Sequence, residues 1–184
     1  STKGMAQVFT NGETAGPPPV PEVQGEGVDV LFEPRSNRIS ARTQDVPLRL
    51  FGGASELDGG LVLGVDGMTG DGLMHFSGAQ LGSDLFRYNR SHILADTASF
   101  QLDQTVEGAL AFKTDNVHCD IDFDERIGEF ASNDGETKIE LPANQYMSFM
   151  DEFKWFMDDD QMEMTSSREP LDDFVIDSDE ASSS

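Results

Sequence analysis

The fold is indicated most clearly by a stretch in which apolar and polar residues alternate, Val117-His118-Cys119-Asp120-Ile121-Asp122-Phe123. Successive side chains of a β-strand point to opposite faces of a sheet. The odd-numbered residues of this stretch are apolar and would share a buried face, while His118, Asp120 and Asp122 would face solvent. The stretch therefore predicts a strand with one buried and one solvated face.

The same period of two extends over the chain from about residue 28 to residue 142. Leu61, Leu63 and Val65 share one face, and Asp66-Gly67 then supplies the residue types of a two-residue hairpin turn. Asn133-Asp134-Gly135 is a second turn signal. Further strands are predicted at residues 28–33, 48–50, 68–77, 93–102, 108–114, 127–132 and 137–141. These patterns predict a mainly β fold.

Three segments repeat the order acid, glycine, any residue, apolar, any residue, apolar. They are Asp58–Leu63, Asp71–Phe76 and Glu107–Phe112. Each unit would bury its apolar face only against neighbouring units. The repeat therefore predicts an elongated, repeat-like β architecture, either β-solenoid-like or a long curved sheet.

One segment departs from the period of two and predicts a short amphipathic helix near residues 144–157, beginning at Asn144. Apolar residues recur there at spacings of three and four, which is the period of one helix face. They are Tyr146, Phe149, Met150, Phe153, Phe156 and Met157. Such a helix either caps the apolar edge of the sheet or lies in the groove of a partner.

The two ends of the chain differ in composition from its middle. Residues 1–27 are rich in proline and glycine and predict a flexible linker, and residues 165–184 predict a disordered acidic tail. A β-rich domain with a C-terminal capping helix is expected between them, over residues 28–164.

Charge excludes several partners. The chain has 35 acidic and 12 basic residues and a net charge of −23, so a phosphate backbone would be repelled and no nucleic acid is expected to bind. No apolar run approaches the about 18 residues of a membrane-spanning helix, and no transmembrane segment is predicted.

The one basic cluster would pair with an acidic glycan or with the acidic second half of a chain. It comprises Arg35, Arg38, Arg42 and Arg49.

The candidate metal ligands are Asp120, Asp122 and Asp124, which stand at every second position. In a strand this spacing places neighbouring carboxylates about 7 Å apart on one face, and Ca²⁺ prefers oxygen ligands of this kind. A helix-loop-helix Ca²⁺ site would need glycine and glutamate where Glu125 and Ala131 stand. The alternative is the solvated face of a strand. No other cofactor is predicted.

No catalytic motif accompanies these acids. His75, His92 and His118 lie far apart, and none has a second His or Cys at the spacing of a zinc site. No Gly-x-Ser-x-Gly elbow is present. Cys119 is the only cysteine and forms no internal disulfide. The chain is therefore predicted not to be an enzyme.

Several motifs between residues 45 and 164, taken together, resemble the sequence pattern of a known group of proteins. They are Leu57–Leu63, Gly67–Gly72, Ser83–Phe86, Ala95–Phe100, Asp122–Phe130, Asn144–Tyr146 and Phe153–Met157. This set resembles a segment of the very large β-rich envelope proteins of Bacteroidetes bacteria, which have no established activity. In more distant outline the pattern is similar to AsmA/TamB-like proteins, whose curved sheets form an apolar trough for lipid.

The resemblance implies a piece of a longer chain in the extracytoplasmic cell envelope. Its partners would be flanking segments of the same chain and other envelope proteins. The expected function is a non-catalytic structural or scaffold segment. The alternative is a binding module for Ca²⁺, a glycan or a lipid, acting through acidic strand faces or an apolar trough.

Overall fold

A computed structural model describes residues 20–103, 110–135, 137–141, 146–158 and 161–165. Within these residues, fourteen strands join into a single sheet, which confirms the prediction of a mainly β fold. The strands are β1 (Val23–Gln24), β2 (Asp29–Glu33), β3 (Arg38–Arg42), β4 (Leu48–Leu50), β5 (Ser55–Gly64), β6 (Gly67–Phe76), β7 (Ala79–Tyr88), β8 (His92–Asp103), β9 (Leu110–Asp122), β10 (Ile127–Ser132), β11 (Thr137–Leu141), β12 (Tyr146–Met150), β13 (Glu152–Phe156) and β14 (Gln161–Thr165).

The sheet is antiparallel and open. Its main path runs β1-β4-β5-β6-β7-β8-β9-β10-β13-β14. Two strands each hold two neighbours along one side: β5 pairs with β4 through residues 55–57 and with β3 through residues 60–63. In the same way, β9 pairs with β11 through residues 113–114 and with β10 through residues 117–122. The hairpins β2–β3 and β11–β12 thus branch from the main path.

The hairpin predicted around Asp66-Gly67 joins β5 to β6, with its turn one residue earlier than expected, at Val65 and Asp66. Gly67 begins β6 with a φ of 119°, which glycine adopts without the penalty that a side chain would bring. After the second predicted turn, β11 pairs with β9 and not with β10. The solenoid-like alternative is not confirmed, because neighbouring strands pair antiparallel.

Close backbone approach marks the pairing of β5 with β6. Gly59 lies opposite Gly72, and a Cβ atom on Gly72 would lie 2.3 Å from the carbonyl oxygen of Asp58. Gly72 also has a φ of 123° and lies at the point where the register between β6 and β7 shifts. The glycines at this point therefore allow a bend that side chains would block.

The alternation in β9 is as predicted. Val117, Cys119 and Ile121 are fully buried, and burial raises the pKa of the Cys119 thiol to about 12. Phe123, the fourth apolar residue of the stretch, lies just beyond the strand in the turn toward β10.

Aromatic rings fill the concave side of the sheet. Phe100 on β8 lies at their centre, with its ring centroid 4.5 Å from that of Phe130 and 5.3 Å from that of Trp155. The centroids of Phe112 and Phe153 each lie 6.0 Å from it. Four neighbouring strands, β8, β9, β10 and β13, thus contribute to one cluster.

The sheet curls over this cluster. Phe76 at the end of β6 lies with its ring 5.5 Å from that of Trp155 on β13, although five steps separate the two strands in the sheet order. Phe51, before β5, stacks on Phe123 at 3.9 Å between centroids. The start of β5 and the end of β6 therefore face the ends of β9 and β13.

The predicted helix near residues 144–157 is wrong for the residues that the structure describes there, which form β12 and β13. Phe153 and Trp155 are buried and alternate with the exposed Glu152 and Lys154, which is the period of a strand. Phe149 and Phe153 lie on two successive short strands. Their spacing of four positions is also the spacing of residues on one face of a helix, which explains the wrong prediction. Residues 144 and 145 lie outside the described residues.

Helical structure in the described ranges is a single 3₁₀ turn at Phe51–Gly53, and none of it is long and apolar enough to cross a membrane. The predicted boundary at residue 28 does not match the described structure, because β1 lies in the predicted linker and pairs with β4. Residues 1–19 of that linker and residues 166–184 of the predicted tail lie outside the described residues.

Candidate functional site

The predicted metal ligands lie beside a histidine at one corner of the sheet. His92 begins β8 and pairs in register with Asp122, the last residue of β9. Asp120 lies two positions earlier on β9 and opposite Glu129 of β10. Together with Glu125, these residues line an open depression of about 260 Å³. We call this group, His92, Asp120, Asp122, Glu125 and Glu129, the His92 cluster.

His92 bridges two of the carboxylates. Its Nδ1 atom lies 2.8 Å from Oδ1 of Asp120, and its Nε2 atom lies 3.5 Å from Oδ2 of Asp122. The hydrogen bond to Asp120 raises the pKa of His92 above its usual value, partial burial opposes this rise, and the charges of Asp120, Asp122 and Asp124 add to it. The imidazolium form is therefore favoured, as expected of a cation held between anions.

Asp122 supports the turn between β9 and β10. Its Oδ1 atom accepts hydrogen bonds from the backbone N–H groups of Asp124 at 2.8 Å and Glu125 at 3.1 Å. The bond from Glu125 is the main reason why the pKa of Asp122 is lowered, and the bond from Asp124 and the charge of His92 lower it further against the effect of burial. The Asp122 carboxylate thus contacts both the backbone of the turn and the side chain of His92.

The three predicted Ca²⁺ ligands do not all lie on one strand. Asp120 and Asp122 lie on the same side of β9, whereas Asp124 lies in the turn beyond the strand. In the part of the chain that the structure describes, no three or more His, Cys, Asp or Glu residues are grouped so as to hold a metal ion. Sequence reasoning missed His92, because its contact with Asp120 spans 28 positions and depends on the pairing of β8 with β9.

Arginines of the predicted basic cluster pair within the chain. Arg42 contacts Asp71 at 2.9 Å, and Arg49 contacts Glu56 at 3.5 Å. Both acidic residues belong to the first half of the chain, not to the strongly acidic second half. The expected self-pairing occurs for these two arginines, but with local partners on neighbouring strands.

A second candidate site is the outer edge of β2. This strand pairs with β3 on one side, and no described strand pairs with its other side. Val30, Leu31 and Phe32 are 51%, 59% and 55% exposed, so apolar side chains are open to solvent on both faces of the strand. An unpaired edge of this kind is a template for an added strand.

Strand β14 is one end of the main path. It pairs with β13 on one side only among the described strands. Its residues are mostly exposed, including Met164 at 41%, and Glu163 lies opposite Lys154 of β13. This edge is therefore more polar than the outer edge of β2.

Comparison with known protein families, with curated proteins and with solved structures finds no match to this chain.

Proposed function

We propose that this chain is a non-catalytic structural segment of a larger β-rich protein of the bacterial cell envelope. In this proposal the β2 edge receives a further strand, supplied by a flanking segment of the same long chain or by another envelope protein. The observation that carries the proposal is the run of three exposed apolar residues on a strand whose outer edge pairs with no described strand.

Edges that remain free in soluble proteins usually carry charges, prolines or bulges that prevent strand addition. The centre of β2 has none of these, because its acidic residues Asp29 and Glu33 stand only at its two ends. A strand added here would pair the free backbone groups and cover Val30, Leu31 and Phe32. Backbone pairing would supply affinity, and the alternate side chains would supply specificity.

The His92 cluster supports the structural role. His92, which is the described histidine closest to carboxylates, is engaged by Asp120 and Asp122 on an open surface. Its contacts join β8 to β9, and those of Asp122 hold the turn that leads to β10. His92 and Asp122 therefore connect neighbouring strands, and such contacts support a structural role.

Sedimentation velocity over a range of protein concentrations tests the edge, because in the isolated chain a second copy can add its own β2 where the native partner strand would lie. We expect the wild-type chain to self-associate through β2 and Leu31→Lys to weaken association by about tenfold, since an added charge disfavours strand pairing at an edge and tenfold corresponds to about 1.4 kcal/mol. Val65→Lys is the matched control, because Val65 is 64% exposed but lies in a turn. Equal association of the wild-type chain and Leu31→Lys would contradict the proposal.

Hydrogen exchange gives a second test in a longer native chain. We expect the backbone amides of Asp29–Glu33 to exchange more slowly when flanking segments are present than in these 184 residues alone. Equal exchange rates in the two chains would show that no neighbouring segment covers this edge.

A further inference from the structure

The residues of β2 indicate which kind of strand fits its outer edge. The strand reads Asp29-Val30-Leu31-Phe32-Glu33, so a carboxylate stands at each end and the centre is apolar. All five residues are exposed. An added strand would therefore contact both the apolar centre and the charged ends.

Apolar residues of β2 continue a buried row of the sheet to its edge. Phe32 lies opposite Ile39 of β3, and Ile39 lies opposite Leu63 of β5. Leu63 in turn lies opposite Met68 of β6, which is only 5% exposed. The row runs from the core to a side chain that is 55% exposed at the edge. Apolar side chains at the centre of an added strand would extend this row.

The carboxylate of Asp29 is available to a cation on an added strand. Arg42 of β3 lies opposite Asp29 in register, but its Nη2 atom lies 2.9 Å from each carboxylate oxygen of Asp71. Asp29 instead accepts a hydrogen bond from the side-chain amide of Gln44 at 2.7 Å. Because this donor is neutral, it leaves the negative charge of Asp29 in place.

Glu33 provides the second carboxylate. Arg38 lies opposite it on β3, and Arg35 lies in the turn that follows, but within the described residues neither arginine forms an ion pair with Glu33. A residue on an added strand would lie about 4.8 Å from Glu33, one strand spacing, and about twice as far from Arg38. Since Coulomb energy falls with distance, a cation there is attracted by Glu33 more strongly than Arg38 repels it.

The same charges disfavour a second copy of β2 as the partner. The strands nearest to β2 pair antiparallel. An antiparallel copy with Leu31 opposite Leu31 would place each Asp29 opposite a Glu33. Like charges directly opposite each other destabilise a strand pair. Self-association through β2 therefore works against like-charge contacts that a strand with basic ends would avoid.

We propose, as an extension that rests on the proposed function, that the native strand added to β2 carries apolar residues between two basic residues. The apolar residues would cover Val30–Phe32, and the basic residues would lie opposite Asp29 and Glu33. The position opposite Asp29 contributes most of the preference, because Arg42 is already engaged by Asp71.

The double variant Asp29→Lys/Glu33→Lys turns β2 of this chain into a strand of the proposed kind. It is mixed with the wild-type chain, and association is measured by sedimentation velocity at low ionic strength. The mixture pairs opposite charges, whereas each chain alone pairs like charges. We expect the mixed complex to be about tenfold tighter than either chain alone. Added salt should reduce this difference, because exposed charges are screened.

A neutral variant avoids repulsion between new lysines and the arginines of β3. Asp29→Asn/Glu33→Gln removes the like-charge contacts and should self-associate about threefold to tenfold more tightly than the wild type. Asp84→Asn/Glu152→Gln is the matched control, because it changes the net charge equally at exposed residues of β7 and β13. This control should associate as the wild type does.

Failure of the charge preference is distinguishable from failure of strand addition. Equal affinities of the mixture and the wild-type chain, or equal gains in the neutral variant and its control, would overturn the charge preference. Weaker association of Leu31→Lys would then still support strand addition at β2. Association that Leu31→Lys leaves unchanged, or no association of any of these chains, would overturn both.

Discussion

Truncation of Phe153 provides a sharp test of the strand at the position where the sequence indicated a helix. Its ring stacks on Phe130 at 4.4 Å and lies 4.9 Å from Phe112, and the residue is 2% exposed. Phe153→Ala removes this contact and leaves a cavity in a tightly packed core. We expect a loss of about 3–5 kcal/mol in the free energy of unfolding. At about 2–4 °C per kcal/mol for a chain of this size, Tm should fall by about 10 °C.

Phe149 is the matched control for this prediction. It precedes Phe153 by four positions and would share its face in a helix, but in β12 its side chain is 54% exposed. Phe149→Ala should therefore change the unfolding free energy by no more than about 0.5 kcal/mol. Urea unfolding monitored by far-UV circular dichroism measures both variants. Similar losses for Phe149→Ala and Phe153→Ala would favour a helix face and refute the strand.

Three further outcomes are expected. First, the pKa of His92 is raised in the folded state above 6.5, so its stabilising contribution is complete below that pH and is lost as pH rises through the folded value; His92→Gln should remove this part of the dependence of Tm on pH. Second, Asp122 already accepts two backbone hydrogen bonds, so millimolar Ca²⁺ should leave Tm unchanged; a rise in Tm that disappears in Asp122→Asn would instead support the metal site. Third, Gly72→Ala should cost about 2 kcal/mol or more, because it adds a Cβ atom at a positive φ against the Asp58 carbonyl group. Gly64→Ala, which meets only an ordinary contact at 3.7 Å, should cost less, and equal losses in thermal unfolding would contradict this explanation.

Strands were predictable where alternation and turn residues agreed. Residues 117–121 alternate without interruption, and the glycine at position 67 marks the end of a turn, so β9 and the β5–β6 hairpin followed from local chemistry. The segment from 146 to 156 was not predictable in this way. Over this short length, its aromatic residues fit both the period of a helix and the period of a strand. The strand forms because it buries Phe153 and Trp155 against strands that are distant in sequence.

The sites depend on strand register, which a single sequence does not encode locally. Asp120 and Asp122 were recognisable as a carboxylate pair, but their engagement by His92 required the pairing of β8 with β9. Phe76 and Trp155 stand 79 positions apart, and their rings meet only because the sheet curls over its core.

The branching of the sheet at β5 has a consequence for its dynamics. The β2–β3 hairpin pairs with β5 at four positions, between residues 39–42 and residues 60–63, and Arg42 adds an ion pair with Asp71 of β6. Strand β4 pairs with a different part of β5. Because the two attachments do not overlap, we expect the hairpin to open as a cooperative unit while the rest of the sheet stays closed. A strand that docks on β2 would raise the free energy of this opening. The local stability of the β2–β3 hairpin would therefore depend on whether the neighbouring strand is bound.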